Sequence, residues 1–246
     1  MSVLNLTVIG HWGAYPGPGE ACSCYLVEAQ GAKLLLDCGS GALSLLQGRI
    51  GLWEVDAVVL SHYHADHTAD LGSLQYAARI EMDLKLRSKP VRVFGHGLDP
   101  ASERLGYYEF AIGTVFGADS RLEVGPFALE FFPTVHPDPN FAIKLSFEGR
   151  TIVYTGDTGP CPGLEGFCAG ADLLVCETSL YDEYRGRIPG HLSAGEAGEL
   201  AKAAGVKTLL ATHLPHWGEH DILERQARAA FGGETILARA GSSLEL

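Results

Sequence analysis

The hydrophobic positions in the first third of the chain fall into short runs that glycine and proline separate. Strands are predicted at LNLTVIG, SCYLVEA and AKLLLDC, and the short turns between them favour antiparallel pairing. The run VDAVVLS is short, rich in β-branched residues and bounded by polar ones, which is typical of a buried strand. Apolar residues recur at helical spacing over residues 41–47 and again from Thr68, at Leu71, Leu74 and Ala78.

The rest of the chain mixes the same two periodicities. Further strands are predicted at VRVFGH, FALEFFPTV, NFAIKLSF, TIVYTGD, DLLVCET and KTLLATHL, and further helices at ASERLGYYEFA, residues 193–204 and residues 222–230. No composition shift, long linker or repeat separates the strand-rich segments from the mixed ones. We therefore predict a single α/β domain over residues 1–246, built from two sheets with helices outside.

Composition is typical of a globular protein. Hydrophobic residues make up 46% of the chain and charged residues 20%, which excludes an intrinsically disordered chain. No apolar run approaches the roughly 18 residues of a membrane helix, and the start MSVLNLTVIG lacks the basic segment of a signal peptide. We therefore expect a soluble, cytoplasmic protein with no membrane partner. The six cysteines are expected to be mostly buried free thiols.

The charge balance bears on the class of partner. Acidic residues outnumber basic ones by 30 to 18, which gives a formal net charge of -12. This is the wrong sign for a protein that contacts a long nucleic acid through many phosphates. An extensive nucleic-acid footprint is therefore not expected.

The strongest chemical signal is a histidine cluster that begins where the predicted strand AVVLS ends. It has the pattern His62-x-His64-x-Asp66-His67. Alternation along an extended segment places His62 and His64 on one side, and a turn into the next helix can bring Asp66 and His67 toward them. Burial of this many polar side chains beside a buried strand costs free energy unless a metal ion or another partner binds them. Imidazole and carboxylate suit zinc, and also manganese or iron.

Two adjacent ions need more ligands than this cluster supplies, so other parts of the chain must contribute. His136, Asp157 and His213 each follow a predicted strand, FFPTV, IVYTG and LLAT respectively. Sites in open sheets lie at strand ends, which makes these three residues candidates. A lone histidine at a strand end is more often structural, and only the local cluster is a strong signal by itself.

The ordered set of His62, His64, Asp66, His67, His136, Asp157 and His213 resembles the motif set of the metallo-β-lactamase superfamily. The resemblance implies an αββα sandwich, with two mixed sheets, helices on the outer faces and a dinuclear site at one edge. It places His62, His64 and His136 on one divalent ion, and Asp66, His67 and His213 on the other, with Asp157 bridging. Zinc is the expected metal, with manganese or iron as alternatives. Asp37 matches the family's supporting acid.

Within that superfamily, the chain resembles ribonuclease Z and related phosphodiesterases. The oxygen-reducing di-iron branch has Glu in place of His64, so hydrolysis is favoured over redox chemistry. The segment Gly190-His191-Leu192-Ser193 and Glu177 in CETSL carry the ribonuclease Z likeness, and they imply that His191 and Glu177 are a catalytic, proton-handling pair. Ribonuclease Z has a long arm between the motifs matched by His136 and Asp157, whereas this chain has only 21 positions there, already filled by two strands.

These observations predict a dinuclear metal-dependent hydrolase, a phosphodiesterase that acts on small phosphodiesters or nucleotides. A metal-bridging hydroxide is the expected nucleophile, with Asp66 orienting it. Hydrolysis of a lactone, ester or thioester is the alternative, because the same hydroxide attacks acyl carbonyls. A non-catalytic nucleotide-binding module is a further alternative. The expected partner is a small anionic substrate, and the resemblance also makes a homodimer plausible.

Overall fold

Residues 3–246 are described by a computed structural model, in which the chain divides into two units. Unit 1 comprises the chain up to Gly117 together with Arg239–Glu245, and unit 2 comprises Ala118–Ala238 together with Leu246. Each unit contains one seven-stranded mixed sheet and helices. Two mixed sheets with helices confirm the predicted α/β class.

In residues 3–117 and 239–245, the described part of unit 1, there are seven strands and three α-helices. Its elements are β1 (Asn5–Gly10), β2 (Cys24–Ala29), β3 (Ala32–Leu36), α1 (Ala42–Leu46), a 3₁₀ helix (Leu52–Glu54), β4 (Ala57–Val59), α2 (Ala65–Thr68), α3 (Leu71–Asp83), β5 (Val91–His96), a 3₁₀ helix (Pro100–Arg104), β6 (Ala111–Phe116) and β14 (Ser243–Glu245). The strand order is β14-β1-β2-β3-β4-β5-β6. The pairs from β14 to β3 are antiparallel, and those from β3 to β6 are parallel.

The core of unit 1 follows from the apolar pattern. All three residues of β4 are buried, as expected for a central parallel strand whose two faces are both covered. Helix α3 buries Leu71, Leu74 and Ala78, the positions whose spacing predicted it. Because β4 lies inside the sheet, between β3 and β5, the histidine cluster that follows it begins at the end of an interior strand.

Unit 2 contains the other seven strands and three α-helices. Its elements are β7 (Arg121–Val124), β8 (Phe127–Pro133), β9 (Phe141–Phe147), β10 (Arg150–Tyr154), α4 (Leu164–Phe167), β11 (Leu173–Glu177), a 3₁₀ helix (Asp182–Tyr184), α5 (Ala194–Ala204), β12 (Thr208–Thr212), α6 (His220–Phe231) and β13 (Glu234–Leu237). The order is β13-β12-β11-β10-β9-β8-β7, parallel from β10 to β13 and antiparallel from β7 to β10. Strands β9 and β10 fill the short span between His136 and Asp157, as predicted.

Helix α5 begins and ends where the sequence predicts. The Ser193 side chain accepts a hydrogen bond from the Glu196 amide, and the Glu196 side chain accepts one from the Ser193 amide, which together form a capping box. The helix ends at Gly205, whose φ of 62° is the left-handed conformation that glycine adopts readily. This start places His191 two residues before the helix cap.

The prediction of a helix at ASERLGYYEFA is wrong. The Asp99 side chain accepts a hydrogen bond from the Ala101 amide and starts only a 3₁₀ helix, Pro100–Arg104. The aromatic residues Tyr107 and Tyr108 then lie on a turn, and Ala111 begins β6 at the edge of the sheet. The backbones of Tyr107 and Ala111 exchange hydrogen bonds across this turn, and this pairing replaces the helix that the spacing of the aromatic residues predicted.

No helix within residues 3–246 has both the length and the apolar composition required to cross a membrane.

Chemical labelling of the native protein is expected to modify one cysteine, Cys161. All six thiols are free, and the other five are buried. Burial, followed by the nearby Asp66 and Asp70 carboxylates, raises the pKa of Cys22 to about 12, and burial raises the pKa of Cys176 well above the ordinary thiol value. Burial also raises the pKa of Cys161, so its labelling is slow but remains possible because the residue is partly exposed.

Mass spectrometry after iodoacetamide treatment measures this. We expect one adduct per native chain and none in the Cys161→Ser variant, with six adducts after unfolding. Two or more adducts on the native wild-type chain would show that the buried thiols are accessible.

Candidate functional site

The histidine cluster of unit 1 converges at the end of β4. His64 is the N-cap of α2 in an extended conformation, with φ −61° and ψ 152°, so the chain turns between His62 and His67. One ring nitrogen of His62 lies within 4.8 Å of one of His64, and His67 Nε2 lies 3.6 Å from Asp66 Oδ2. His62, Asp66 and His67 are buried and His64 is exposed. The structure therefore brings together the four side chains of the motif.

Asp37 lies beneath this cluster and holds it in place. It follows β3 with a φ of 58°, a left-handed conformation that is unfavourable for a non-glycine residue and that recurs at functional sites. Its fully buried carboxylate accepts hydrogen bonds from the Ser61 amide at 2.7 Å, the Ser61 hydroxyl at 2.8 Å and His67 Nδ1 at 2.6 Å. The hydrogen bond to His67 Nδ1 orients the His67 ring, which is the supporting role that the family resemblance implies for Asp37.

The same hydrogen bonds assign the protons on two rings. Because a carboxylate only accepts, His67 Nδ1 carries the proton and Nε2 carries the lone pair. The Ser61 hydroxyl donates to Asp37, so it accepts from His62 Nδ1 at 3.1 Å, and the lone pair of His62 is also on Nε2. A histidine whose other nitrogen donates to an oxygen is the usual arrangement for a metal ligand.

Asp37→Asn is expected to weaken metal binding by about 10- to 100-fold, the usual cost of losing such an orienting partner. The amide keeps the shape of the carboxylate but loses its charge and one acceptor, so the His67 Nδ1 proton is no longer fixed. Competition with a chromophoric chelator measures the affinity. Asp56→Asn is the matched control, because Asp56 is exposed and its side chain accepts from the Lys33 amide rather than from a histidine. Equal affinities in wild type and Asp37→Asn would contradict this role.

Asp66 has a second support that the sequence did not reveal. The backbone amide of Ala14, which follows β1, donates to Asp66 Oδ2 at 2.7 Å. Gly39 leaves room for this arrangement, since a Cβ there would lie 2.1 Å from the Asp66 carbonyl oxygen. A backbone amide has no sequence signature, so only the fold could identify it.

In unit 2, the three predicted strand-end residues also meet. His136 follows β8, Asp157 follows β10 and His213 directly follows β12. His136 Nε2 lies 4.0 Å from Asp157 Oδ2, and His213 Nε2 lies 3.4 Å from Asp157 Oδ1. His213 has a φ of 56°, a second strained position among the candidate residues. The central placement of Asp157 between two imidazoles agrees with the bridging role that the resemblance implies.

The backbone around these residues is held tightly. The Asn140 side-chain amide donates to the Asp157 carbonyl at 2.7 Å, and His136 Nδ1 lies 3.0 Å from the Asp138 carbonyl oxygen and 3.3 Å from the Asp138 amide nitrogen. Gly190 packs against the His136 segment: a Cβ there would lie 2.4 Å from Pro137 Cδ, and its φ is +86°. Asn140 and Gly190 are positioning residues that the sequence reading missed.

Glu177 and His191 lie together, as the resemblance predicts. His191 Nδ1 is 3.1 Å from Glu177 Oε1, and Glu177 is fully buried. The same carboxylate accepts from the Thr158 amide at 2.7 Å and the Leu192 amide at 3.2 Å. These amides fix the carboxylate, so that His191 has one preferred orientation.

Ser179 joins this pair to His213. Its hydroxyl donates to Glu177 Oε2 and accepts from His213 Nδ1 at 2.8 Å, which leaves the His213 lone pair on Nε2. The His191 and His213 rings are nearly parallel, with centroids 5.6 Å apart. Ser179 was missed in CETSL because a serine after a strand most often forms a local turn. Only the long-range contact with His213 distinguishes it.

The donor sets of both units fit divalent metal ions. His62, His67 and His213 each present Nε2 as the lone-pair atom, and the carboxylates of Asp66 and Asp157 lie beside them. Neutral imidazole and carboxylate together are the ligands of zinc and of similar borderline ions. The chain therefore carries a potential metal site.

Comparison with known proteins agrees with this chemistry. Residues 32–214 match the family model of the β-lactamase superfamily domain. Probable metallo-hydrolase YhfI of Bacillus subtilis is 39% identical over 239 residues, covering 97% of this chain and 98% of that protein. The crystal structure of YhfI, a metallo-β-lactamase fold protein, superposes with a TM-score of 0.96 over 99% of both chains.

More distant relatives extend the comparison. Ribonuclease Z of Mycobacterium marinum is 29% identical over 274 residues, covering 96% of each chain. A diphosphatase of the PhnP family has a TM-score of 0.81 at 19% identity, over 100% of this chain and 98% of that one, which shows a shared fold alone. On the family match and the YhfI likeness, the chain belongs to the metallo-β-lactamase superfamily and is a metallo-hydrolase of that fold.

Proposed function

We propose that this metallo-hydrolase is a phosphodiesterase with a dinuclear site that acts on small phosphodiesters or nucleotides. The observation that carries the proposal is the His191–Glu177 pair of unit 2, joined through Ser179 to the candidate ligand His213. An alkoxide leaving group requires a proton donor, and an imidazole next to a metal ligand can act as that general acid. The likeness to ribonuclease Z over nearly the whole chain also supports phosphodiester chemistry.

In this proposal, the seven residues of the family motif hold the two ions. His62, His64 and His136 would hold one ion and Asp66, His67 and His213 the other, with Asp157 as a ligand shared by both sets. Zinc is the proposed metal, with manganese or iron as alternatives. Bound divalent ions supply Lewis acidity and a water that is deprotonated near neutral pH.

The chain's own residues then have distinct tasks. His191 Nδ1 donates to the buried Glu177 carboxylate, so His191 Nε2 is the atom that delivers a proton to the leaving oxygen. Glu177 stabilises the protonated ring and keeps it in one orientation. Asp66, held by the Ala14 amide, orients the attacking oxygen as well as ligating. His136 lies against His191, with ring centroids 5.6 Å apart, and limits the motion of that ring.

Two features favour a small substrate. The net charge of -12 opposes contacts with many phosphates. Between His136 and Asp157, the described chain has only β9, β10 and their short turn, without an inserted arm of the ribonuclease Z kind. The proposed substrate is therefore a small phosphodiester rather than a folded RNA.

A substrate profile tests the proposal. The purified protein, loaded with zinc or with manganese, is assayed on bis(p-nitrophenyl) phosphate and on a panel of lactones, esters and thioesters. We expect metal-dependent hydrolysis of the phosphodiester that exceeds hydrolysis of the acyl substrates. Turnover of a lactone, ester or thioester alone would assign the acyl alternative. Tight nucleotide binding with no turnover of any substrate would assign a binding module.

A further inference from the structure

A cavity of about 310 Å³ lies within unit 1 beside the histidine cluster. Tyr63 and Thr68 line it, and in the chain these two residues directly adjoin His62, His64 and His67. Its volume is at the lower end of the range for ligand pockets, which suits one organic group of a small substrate. The cavity therefore lies against the backbone of the segment that carries these candidate ligands.

The walls of this cavity are preformed. The Tyr63 hydroxyl donates to the His96 carbonyl at 2.7 Å, which fixes the orientation of the half-buried ring. Leu71 and Leu105, both buried, supply an apolar wall. An aromatic side chain beside aliphatic ones suits an organic group such as a nucleobase or a sugar edge.

Arg104 adds a positive charge to this lining. Its side chain is exposed. Within residues 3–246, Arg104 is not among the arginines that form ion pairs with carboxylates. Those arginines are Arg87, Arg121, Arg150, Arg185 and Arg228. In a chain with a net charge of -12, a cation without a carboxylate partner at a cavity is available for an anionic ligand. A guanidinium binds phosphate oxygens through two parallel hydrogen bonds.

The backbone that carries Arg104 is itself anchored. The buried Gln75 amide nitrogen of helix α3 donates to the carbonyl oxygens of Arg104 and Leu105, at 3.0 Å each. The nearby Asp99 carboxylate accepts from the Ala101 amide at 2.7 Å and caps the 3₁₀ helix. The backbone at Arg104 is thus fixed by α3, so that only the side chain loses freedom when an anion binds.

We propose that this cavity is a second substrate subsite, in which Arg104 binds a phosphate group remote from the scissile phosphodiester. The inference rests on the proposed function and narrows its substrate class to small phosphodiesters, of nucleotide type, that carry an additional terminal phosphate. Phosphate is the expected anion because it is the other acidic group that small nucleotides carry.

Equilibrium binding tests this subsite without relying on turnover. Isothermal titration of the metal-loaded protein with thymidine 3′,5′-bisphosphate and with thymidine 3′-monophosphate measures the preference for the second phosphate. One charge-assisted contact corresponds to about a tenfold tighter binding of the bisphosphate. In Arg104→Ala the two ligands should bind equally, and Arg104→Lys should retain part of the preference.

Two further variants control for charge and for space. Arg79→Ala removes the same charge from the exposed part of α3, where Arg79 lies over the Tyr76 and Phe110 rings, and it should keep the tenfold preference. Gly72 lines the cavity, and nothing lies within 4 Å of a Cβ built there, so Gly72→Leu fills the cavity without strain in α3. This variant should also lose the preference.

Failure of this inference is distinguishable from failure of the proposed function. A tenfold preference that survives in Arg104→Ala, or a wild-type protein with no preference, would overturn the subsite. Turnover of bis(p-nitrophenyl) phosphate by the same wild-type preparation tests the phosphodiesterase proposal separately, because that substrate has no second phosphate. Loss of the preference in both Arg104→Ala and Gly72→Leu, with retention in Arg79→Ala, supports the subsite whatever that assay shows.

Discussion

His64→Ala is expected to abolish metal binding at one position and hydrolytic activity together. His64 is a proposed ligand, and its ring contacts the His62 ring edge-on, with centroids 4.7 Å apart. The Lewis acidity of a bound ion contributes several kcal/mol to transition-state stabilisation, so we expect kcat/KM to fall by roughly 10³-fold or more. Elemental analysis of the purified variant beside its kinetics measures both effects.

The exposure of His64 makes this result interpretable. Because the side chain is exposed at the cap of α2, alanine there should change the free energy of unfolding by no more than about 0.5 kcal/mol. His220→Ala is the matched control, since His220 bonds the Pro215 carbonyl and is not among the proposed ligands. A His64→Ala protein with wild-type metal content and activity would refute the ligand assignment.

His191→Ala is expected to have the opposite signature, with metal retained and turnover lost. His191 is held by Glu177 and is not one of the seven proposed ligands. Removal of a general acid typically lowers kcat by about 10²- to 10⁴-fold. Stoichiometric metal analysis and steady-state kinetics on a phosphodiester check this together.

The leaving group sharpens the test of His191. If the imidazole protonates the leaving oxygen, the loss in His191→Ala should be large for a methyl ester of poor leaving ability and small for p-nitrophenolate, which needs no proton. Glu177→Gln should show the same dependence in weaker form, because His191 remains but loses its charged partner. An equal loss for both leaving groups, or loss of metal from His191→Ala, would reject the role of proton donor.

The candidate site could be predicted largely because its residues are dense in the chain or lie at strand ends. The cluster from His62 to His67 directly follows a run that is typical of a buried strand, and the structure has β4 there. His136, Asp157 and His213 were each weak candidates alone. They became candidate ligands because their order in the chain after the cluster matches the family motif set. The structure places each of them after the predicted strand.

The parts that could not be predicted depend on contacts between residues far apart in the chain. Ser179 reaches His213 across two neighbouring parallel strands, and the Ala14 amide reaches Asp66 from 52 residues away. The edge strand β6 was not predicted because the segment before it carries conflicting signals. A capping aspartate and a proline favour the start of a helix, whereas the aromatic residues also occur in turns and strands. Arg104 gained a candidate role only when that segment proved to line a cavity.

The most direct test of the account is a titration of activity against bound metal. Chelator-treated protein is reconstituted with increasing zinc, or with manganese in parallel, and hydrolysis of bis(p-nitrophenyl) phosphate is measured against the metal content of each sample. We expect no turnover without metal and a rise in activity that saturates at about two ions per chain. Full phosphodiesterase activity in metal-free protein, or no activity at any metal content, would contradict it.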